Sequence, residues 1–419
     1  MTMKHLSIKR TFDQTGVTLV ELLIALALSL TVLIGLSAVY VTAKQSFRFQ
    51  ENSGQLQEDA NYALDTLAKD IRMAGFGGCK GVDVVANPTG LPSPLVYYPQ
   101  LGTSVSTAYD GPNPLGTVFP ADATIIGQPL LPTNFIRGFD ATVPSLMFSA
   151  GSVPVSSTTD SLFVSGGSSK AVSINAPQGS SSAALEIGTD SQGWGTTDLY
   201  NMIVSDCTTS SLFIGQIANN AGVYQIQHGG SLGSATIGTN AAGSFPINPV
   251  AAPPAAPVYG VDSLVMPLEW NFYYVATRNG ASTPSLYRVF YDGSGRKPAS
   301  EIVANVESMR LQYAENLNGI DSGTAAACVL ATGGATCIAS LQADVWRTTA
   351  ATVTDWSRVV AVRVGLMMVS AEDNVNADVT LTVTPTLLGS AYTIPAGATK
   401  RLRKEFSTTV VLRNRITPR

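Results

Sequence analysis

The side chains that most often do chemistry in proteins are scarce in this chain of 419 residues. Its two histidines are His5 and His228. Its four cysteines are Cys79, Cys207, Cys328 and Cys337. No two cysteines form a CxxC pair, so a zinc site is poorly supported, and two histidines give little material for catalysis or metal binding. The residue types therefore favour a protein that is no enzyme and needs no metal or cofactor, with two disulfide bridges as the better interpretation of the cysteines.

Two short motifs could still suggest a site. Residues 229–233 match G-x-S-x-G, but no helical period follows and no histidine comes after Ser231, so the order expected of that hydrolase family fails. An oxygen-rich loop follows at Asn316, Asn318, Asp321 and Gly323. It misses the calcium-loop spacing and lacks the closing glutamate, so an ordinary solvated turn is the prediction there.

An unusual N-terminus carries more information. Residues 1–16 contain Lys4, Lys9 and Arg10 and no apolar run, which predicts that they stay on the cytoplasmic side of a membrane. Residues 22–43 then contain no charged residue, and about 20 such residues span a bilayer. The apolar core of a secretory signal has only about 7–15 residues, so a retained anchor is the better interpretation.

One acid interrupts this apolar segment near its start. Glu21 inside a membrane helix would cost about 2.5–3.5 kcal/mol on insertion scales, so the carboxylate calls for a partner. The alternative is a carboxylate that is merely solvated at the level of the lipid headgroups.

The order Gly-Val-Thr-Leu-Val-Glu-Leu-Leu-Ile-Ala over residues 16–25 resembles the type IV prepilin signal. The resemblance implies that a prepilin peptidase cuts after Gly16 and methylates the new N-terminus at Val17. It also implies that Glu21 pairs with an N-terminal amine during assembly. Val17 departs from the phenylalanine usual at this position, whereas the glycine and the acid five places beyond it match.

The helical pattern continues past the membrane segment. Apolar residues recur at spacings of three and four: Leu56, Ala60, Ala63, Leu64, Leu67, Ile71 and Ala74. Glycines at 75, 77 and 78 then predict a helix stop. We therefore expect one helix over 17–74, with a membrane half at about 17–43 and a head-packing half at about 44–74.

The remaining chain has a β pattern. Residues 75–260 are rich in Gly, Ser, Thr, Ala and Pro, which predicts a variable region of short strands and long loops. Residues 261–419 form the predicted C-terminal β-sheet region. The strands predicted over the whole chain are 161–165, 211–217, 269–277, 285–291, 308–313, 358–369, 378–383 and 406–412. Alternation in the last strand favours an antiparallel sheet with one face on a helix, an α+β fold. The resemblance to the prepilin signal implies that this fold is pilin-like.

Four segments resemble the PilW family of minor pilins. They are RMAGFGGC at 72–79, VSDC at 204–207, SLYR at 285–288 and FSTTVVLRNR at 406–415. The resemblance implies that Cys79 pairs with Cys207, which leaves Cys328 to pair with Cys337. An oxidising space outside the inner membrane would permit both bridges.

The resemblance implies a minor pilin that helps prime type IV pilus assembly and sits at or near the tip. Its expected partners are the prepilin peptidase, other minor pilins, the major pilin and a PilY-type tip adhesin. It would first be a single-pass inner-membrane protein with a periplasmic head and then part of the extracellular pilus. A J-like pseudopilin of type II secretion, a tip adhesin and a DNA-uptake module remain alternatives. The net charge of −4 disfavours nucleic acid.

Overall fold

The structure is a computed structural model. It describes residues 16, 18–78, 95–97, 99–100, 135–141, 159–196, 198–206, 210–229, 232–234, 238–240, 258–278, 280–294, 297–316, 345–354, 356–373, 385–395 and 400–415. The predicted strand at 378–383 lies outside these residues.

A single long helix, α1, runs from Leu19 to Met73. Its 55 residues correspond to about 80 Å at 1.5 Å per residue. Gly75 and Gly78 follow with φ values of 71° and 105°, a left-handed conformation that glycine adopts without a Cβ penalty. The helix therefore begins and ends within two residues of the predicted limits.

The described strands are numbered in chain order. They are β1 (Leu95–Tyr97), β2 (Pro99–Gln100), β3 (Ile136–Phe139), β4 (Ser161–Gly167), β5 (Val172–Ser173), β6 (Leu185–Gly188), β7 (Leu199–Ser205), β8 (Ser210–Asn220), β9 (Val223–Gln227), β10 (Gly233–Ser234), β11 (Gly238–Asn240), β12 (Leu264–Ala276), β13 (Ser285–Tyr291), β14 (Ser300–Ala304), β15 (Val306–Glu315), β16 (Val345–Arg347), β17 (Val359–Val369), β18 (Thr386–Leu387), β19 (Ser390–Ala391) and β20 (Arg403–Val411). Three short 3₁₀ helices are described at Ala350–Thr352, Trp356–Arg358 and Arg413–Arg415.

The strands form two main sheets. The larger has 11 strands along the order β14-β13-β12-β7-β8-β9-β6, with β1, β3, β4 and β5 off this path. The other has the order β16-β15-β17-β20. Every described pairing is antiparallel except that of β1 with β8.

Most predicted strands are present, and β13 coincides with its prediction. β12 begins five residues before the predicted start, because it continues through Pro267. There the strand changes its partner from β7 to β4, so the missing N–H of proline falls at a junction of two ladders.

The core follows from the two-residue period of β12. Tyr273 and Val275 face the cluster that includes α1, whereas Phe272 and Tyr274 face a second, largely aromatic cluster. Trp270, Tyr273 and Tyr274 are each at most 3% exposed, so they are core residues of the sheet rather than an adhesive patch.

The helix packs on the second sheet through the face that its periodicity predicted. All seven apolar residues of that predicted face are buried. They share one cluster with inward residues of β15, β17 and β20, such as Leu311, Val364 and Val410. The predicted α+β architecture, a long N-terminal helix on an antiparallel sheet head, is thus confirmed.

Candidate functional site

The first turn of α1 carries a reciprocal cap. Thr18 is the N-cap residue, and its Oγ1 accepts a hydrogen bond of 3.3 Å from the Glu21 backbone N–H. In return, one carboxylate oxygen of Glu21 accepts bonds of 3.2 Å from the Thr18 backbone N–H and hydroxyl. This capping box satisfies donors that the first turn leaves free. Thr18 was missed by our sequence interpretation, although T-x-x-E before an apolar run is the signature of such a cap.

Gly16 lies just outside the helix and is exposed. Within the described part of the chain, no atom lies within 4 Å of the position that a Cβ on Gly16 would occupy. Packing among these residues therefore gives no reason for glycine at this position. Val17, the predicted methylation site, lies outside the described residues.

The first half of α1 presents apolar side chains to its surroundings on every side. An 18-residue window has a mean hydropathy of 2.6 and no part of it is buried, so the helix is long and apolar enough to cross a membrane. The exposed large apolar side chains of this half are Leu19, Val20, Leu22, Leu23, Ile24, Leu26, Leu28, Leu30, Val32, Leu33, Ile34, Leu36, Val39, Tyr40 and Val41.

The few polar side chains of this half are satisfied within the helix. The hydroxyls of Ser29, Ser37 and Thr42 donate to carbonyls four residues earlier at 2.7–2.9 Å. Thr31 donates to the carbonyl of Leu28 at 2.8 Å. Internal bonds of this kind remove the main cost of placing a hydroxyl in lipid or between apolar helices.

The second half of α1 is held by the head. The first buried residue along the helix is Asn52, so residues 44–51 are exposed, although the head-packing half was expected from about 44. Asp70 is bound directly, because the Tyr273 hydroxyl donates to its carboxylate at 2.5 Å. Burial raises the pKa of both Asp70 and Tyr273.

The end of the helix is capped from the far end of the chain. The Asn414 side-chain amide donates to the carbonyls of Arg72 and Ala74 at 3.3 and 3.2 Å. The Gly75 N–H donates to Ser165 at 2.9 Å, and the Gly167 N–H donates to Phe76 at 2.6 Å. These bonds join the helix end to β4 and to the last described turn. They depend on tertiary contacts, so no local sequence signal indicates them.

Few of the remaining candidate residues lie in the described part of the chain, and those that do are not brought together in a site. The four cysteines and Ser231 lie outside the described residues, as do Asn318, Asp321 and Gly323. Asn316 is buried and its N–H donates to the carbonyl of Arg358 at 3.0 Å. His228 is buried with its Nε2 2.8 Å from the Ala183 carbonyl oxygen, and burial lowers its pKa. Among the described residues, no group of three or more His, Cys, Asp or Glu could hold a metal ion.

Comparison with known proteins finds a matching family for the C-terminal region of the chain. No curated protein matches the chain. Among solved structures, a type IV-like pilin from Thermus thermophilus matches this chain with 13% sequence identity and a TM-score of 0.19. The match covers 52% of this chain and 86% of that chain. A TM-score this low supports no argument about the fold. Residues 272–414, which include β13 to β20, match the family model PilW, "Type IV Pilus-assembly protein W". Over this C-terminal region the chain is similar to the PilW family, as its sequence predicted.

Proposed function

We propose that this chain is a minor pilin that helps prime type IV pilus assembly and sits at or near the pilus tip. One observation carries the proposal. In the described part of the chain, one half of a single continuous helix is apolar and has no buried residue. Its other half is packed against a head whose residues 272–414 match the PilW family model. Such a helix suits a protein that is held first by lipid and then by other helices.

The exposed half of α1 explains how both states are stable. Before assembly it anchors the chain in the inner membrane as a single pass, with the head in the periplasm. During assembly it exchanges lipid for the apolar helices of other pilins, a transfer between surfaces of similar polarity. The hydroxyls of Ser29, Ser37 and Thr42 already donate hydrogen bonds within the helix, so neither lipid nor a neighbouring helix needs to supply an acceptor for them.

Processing by prepilin peptidase would prepare the chain for this transfer. We propose cleavage after Gly16 and methylation of Val17, which frees an amine next to the first turn of α1. Two features support it: the resemblance of residues 16–25 to the prepilin signal, and the open surroundings of Gly16.

Mass spectrometry of the protein from sheared pili tests this step. The expected N-terminus is methylated Val17, and Gly16→Leu should leave the precursor at full length in the membrane fraction. A chain that begins at Met1 in assembled pili, or one cut after Ala43, would contradict the proposal.

We further propose the bridges Cys79–Cys207 and Cys328–Cys337. The first is supported by the neighbours of those cysteines: a Cβ on Gly78 would lie 2.7 Å from the Cβ of Ser205. Cys79 follows Gly78 directly and Cys207 is two residues after Ser205, so the described segments that lead to the two cysteines lie close together. A disulfide needs Cα atoms about 4.4–6.8 Å apart. Peptide mapping without reductant should recover both pairs, and free thiols or any other pairing would refute them.

The proposed partners are other minor pilins, the major pilin and a PilY-type tip adhesin. Cross-linked pili, purified through a tag on this chain, should contain them. If the tagged chain instead brings down only components of a type II secretion system, the J-like pseudopilin alternative is correct and the pilus role is wrong.

A further inference from the structure

The part of α1 between its apolar half and the head combines aromatic and basic side chains. We call residues 40–49 the boundary segment. Tyr40, Phe47 and Phe49 are 65%, 66% and 44% exposed. Lys44 and Arg48 are exposed as well, and within the described part of the chain no ion pair joins either of them to an acid. None of these five side chains is buried against the described part of the head.

The aromatic rings of the boundary segment lie on opposite sides of the helix. At 100° per residue, Phe47 is about 20° around the axis from Tyr40, whereas Phe49 is about 180° from it. A protein that covers one face of a helix leaves the rings of the other face in water. The boundary between lipid and water surrounds a helix on every side, and tyrosine rings are enriched there. The positions of the rings therefore favour a lipid surface as the neighbour of this segment.

Spacing along the helix places the two cations at the level of the lipid headgroups. The uncharged residues 22–43 correspond to about 33 Å of helix, close to the thickness of the hydrocarbon core, and Lys44 is the first charged residue after them. Arg48 is about 6 Å farther along the axis, within a headgroup layer that is about 5–8 Å thick on each side. Glu51 is about 10 Å beyond Lys44, so the nearest acid of the helix falls outside this layer.

The two cations can act on neighbouring phosphate groups. Lys44 and Arg48 are four residues apart, so their side chains lie beside each other on the helix. The long lysine side chain can extend its ammonium group toward the headgroups, and the arginine side chain can donate two parallel hydrogen bonds to one phosphate. Both groups carry a positive charge, so phosphate groups of lipids with a net negative charge fit them best.

We propose that the boundary segment binds anionic phospholipids, with Lys44 and Arg48 on the phosphate groups and the aromatic rings at the edge of the acyl chains. The inference rests on the proposed function, because it requires the apolar half of α1 to be anchored in a membrane. It adds selectivity to that anchor, since apolar side chains do not distinguish one headgroup from another. Asn52, the first buried residue of α1, is only about 12 Å beyond Lys44, so the bound lipids lie directly below the head.

The lipid selectivity of the full chain tests the proposal. The protein is reconstituted in phosphatidylcholine bilayers that contain a trace of spin-labelled phosphatidylglycerol or spin-labelled phosphatidylcholine. Electron paramagnetic resonance then measures the fraction of each probe that is immobilised next to the protein. At low salt we expect the anionic probe to associate about threefold more strongly, or better. About 1 M salt should reduce this preference, because the Debye length falls to about 3 Å.

Substitutions assign the preference to the two cations. Lys44→Gln with Arg48→Gln removes both charges and keeps side chains of good helix propensity, so the preference should disappear. The matched control, Lys69→Gln with Arg72→Gln, removes one lysine and one arginine from exposed positions of the same helix, about 38 Å beyond Lys44, and should keep it. No preference in the wild type, or an equal preference in the wild type and the first variant, would overturn the proposal.

A photoreactive residue in place of Phe47 distinguishes lipid from protein as the neighbour of the boundary segment. In native membranes we expect adducts with phospholipid, and adducts with protein alone would overturn the proposal. Extraction of the reconstituted bilayers with alkaline carbonate tests the anchor separately. A chain that stays in the bilayer without lipid preference contradicts only this inference. A chain that carbonate releases has no membrane anchor, which contradicts the proposed function and this inference with it.

Discussion

The Glu21 carboxylate has partners within its own helix before any assembly takes place. Its bonds to Thr18 show that the side chain can serve as an intrahelical cap, and we propose that this cap gives the acid a partner while the unprocessed chain is anchored in the membrane. Under the proposed processing, an amine freed at Val17 of the same or an adjoining subunit would be a further partner for this carboxylate. The capping role and the assembly role can be separated by substitution.

Glu21→Gln keeps an oxygen that can accept the capping bonds but removes the charge. We expect pilus numbers to fall by more than tenfold while the membrane level holds, because leaving a buried amine without its partner costs several kcal/mol. Thr18→Ala breaks the cap and keeps the charge, so it should change pilus numbers little. The test is to count surface pili and to quantify this protein in the membrane fraction for both variants. Normal piliation with Glu21→Gln would refute the assembly role.

Asp160 is an acid that the fold buries between strands. Its carboxylate accepts the Leu311 N–H at 2.9 Å, and its own N–H donates to the carbonyl of Met309 at 2.9 Å. Burial, with a smaller effect from the nearby Asp140 charge, raises the pKa of Asp160 to about 6. The backbone bond from Leu311 favours the charged form but does not outweigh burial.

A raised native pKa means that the folded protein holds this proton more tightly than the unfolded chain does. The contribution of Asp160 to the free energy of unfolding should therefore fall as pH rises from 3.8 to about 6 and stay low above that. Asp160→Asn keeps an acceptor for Leu311 and removes the titration, so above pH 6 it should be more stable than wild type by about 1–3 kcal/mol. Denaturant unfolding of both proteins across this pH range measures the difference. A constant difference from pH 3 to 8 would contradict this assignment.

At the scale of elements, α1 has two halves with different energetic roles. The half from Asn52 onward is packed into the main core, whereas the first half contributes no buried side chain to the head. Stability of the head should therefore depend on the second half alone.

Two leucines of the same helix test this division. Leu67 is 0% exposed and Leu30 is 58% exposed. Leu67→Ala should lower the free energy of unfolding of the head by about 2–5 kcal/mol, because it leaves a cavity in the core. Leu30→Ala is the matched control and should change the head little. Both expectations can be measured by thermal unfolding of the full chain in detergent, monitored by near-ultraviolet circular dichroism. Equal effects of the two substitutions would show that the first half of the helix also stabilises the head.

At the scale of the whole molecule, the exposed apolar half of α1 is compatible with a single membrane anchor, and the proposed single-pass topology can be tested directly. In spheroplasts, an added protease should digest the head and leave a tag at residue 1 of the uncleaved Gly16→Leu variant protected. The basic residues of the leader favour retention on the cytoplasmic side. Digestion of the N-terminal tag with survival of the head would show the opposite orientation.

Much of the helix and its buried face followed from the sequence alone. The period of three and four from Leu56 to Ala74 predicted the face that the head covers, because burial on one side of a helix requires that spacing. The strand predicted at 285–291 coincides with β13, and the alternation predicted for the last strand agrees with the burial pattern of β20, since successive strand residues face opposite sides. Gly16 and Glu21 were found from their spacing and from a family resemblance. Their proposed roles concern processing and assembly, which depend on other molecules.

Tertiary structure decided what joins distant parts of the chain. The cap on α1 by Asn414, the bond from Tyr273 to Asp70 and the change of partner at Pro267 all connect residues that are far apart in sequence or in different ladders. The local sequence pattern carries no information about such pairs. It predicts whether a segment forms a helix or a strand, and this does not depend on which distant residue the segment contacts. The position along α1 where the head begins to cover it was likewise set by the sheets and not by the helix, whose pattern continues unbroken through that point.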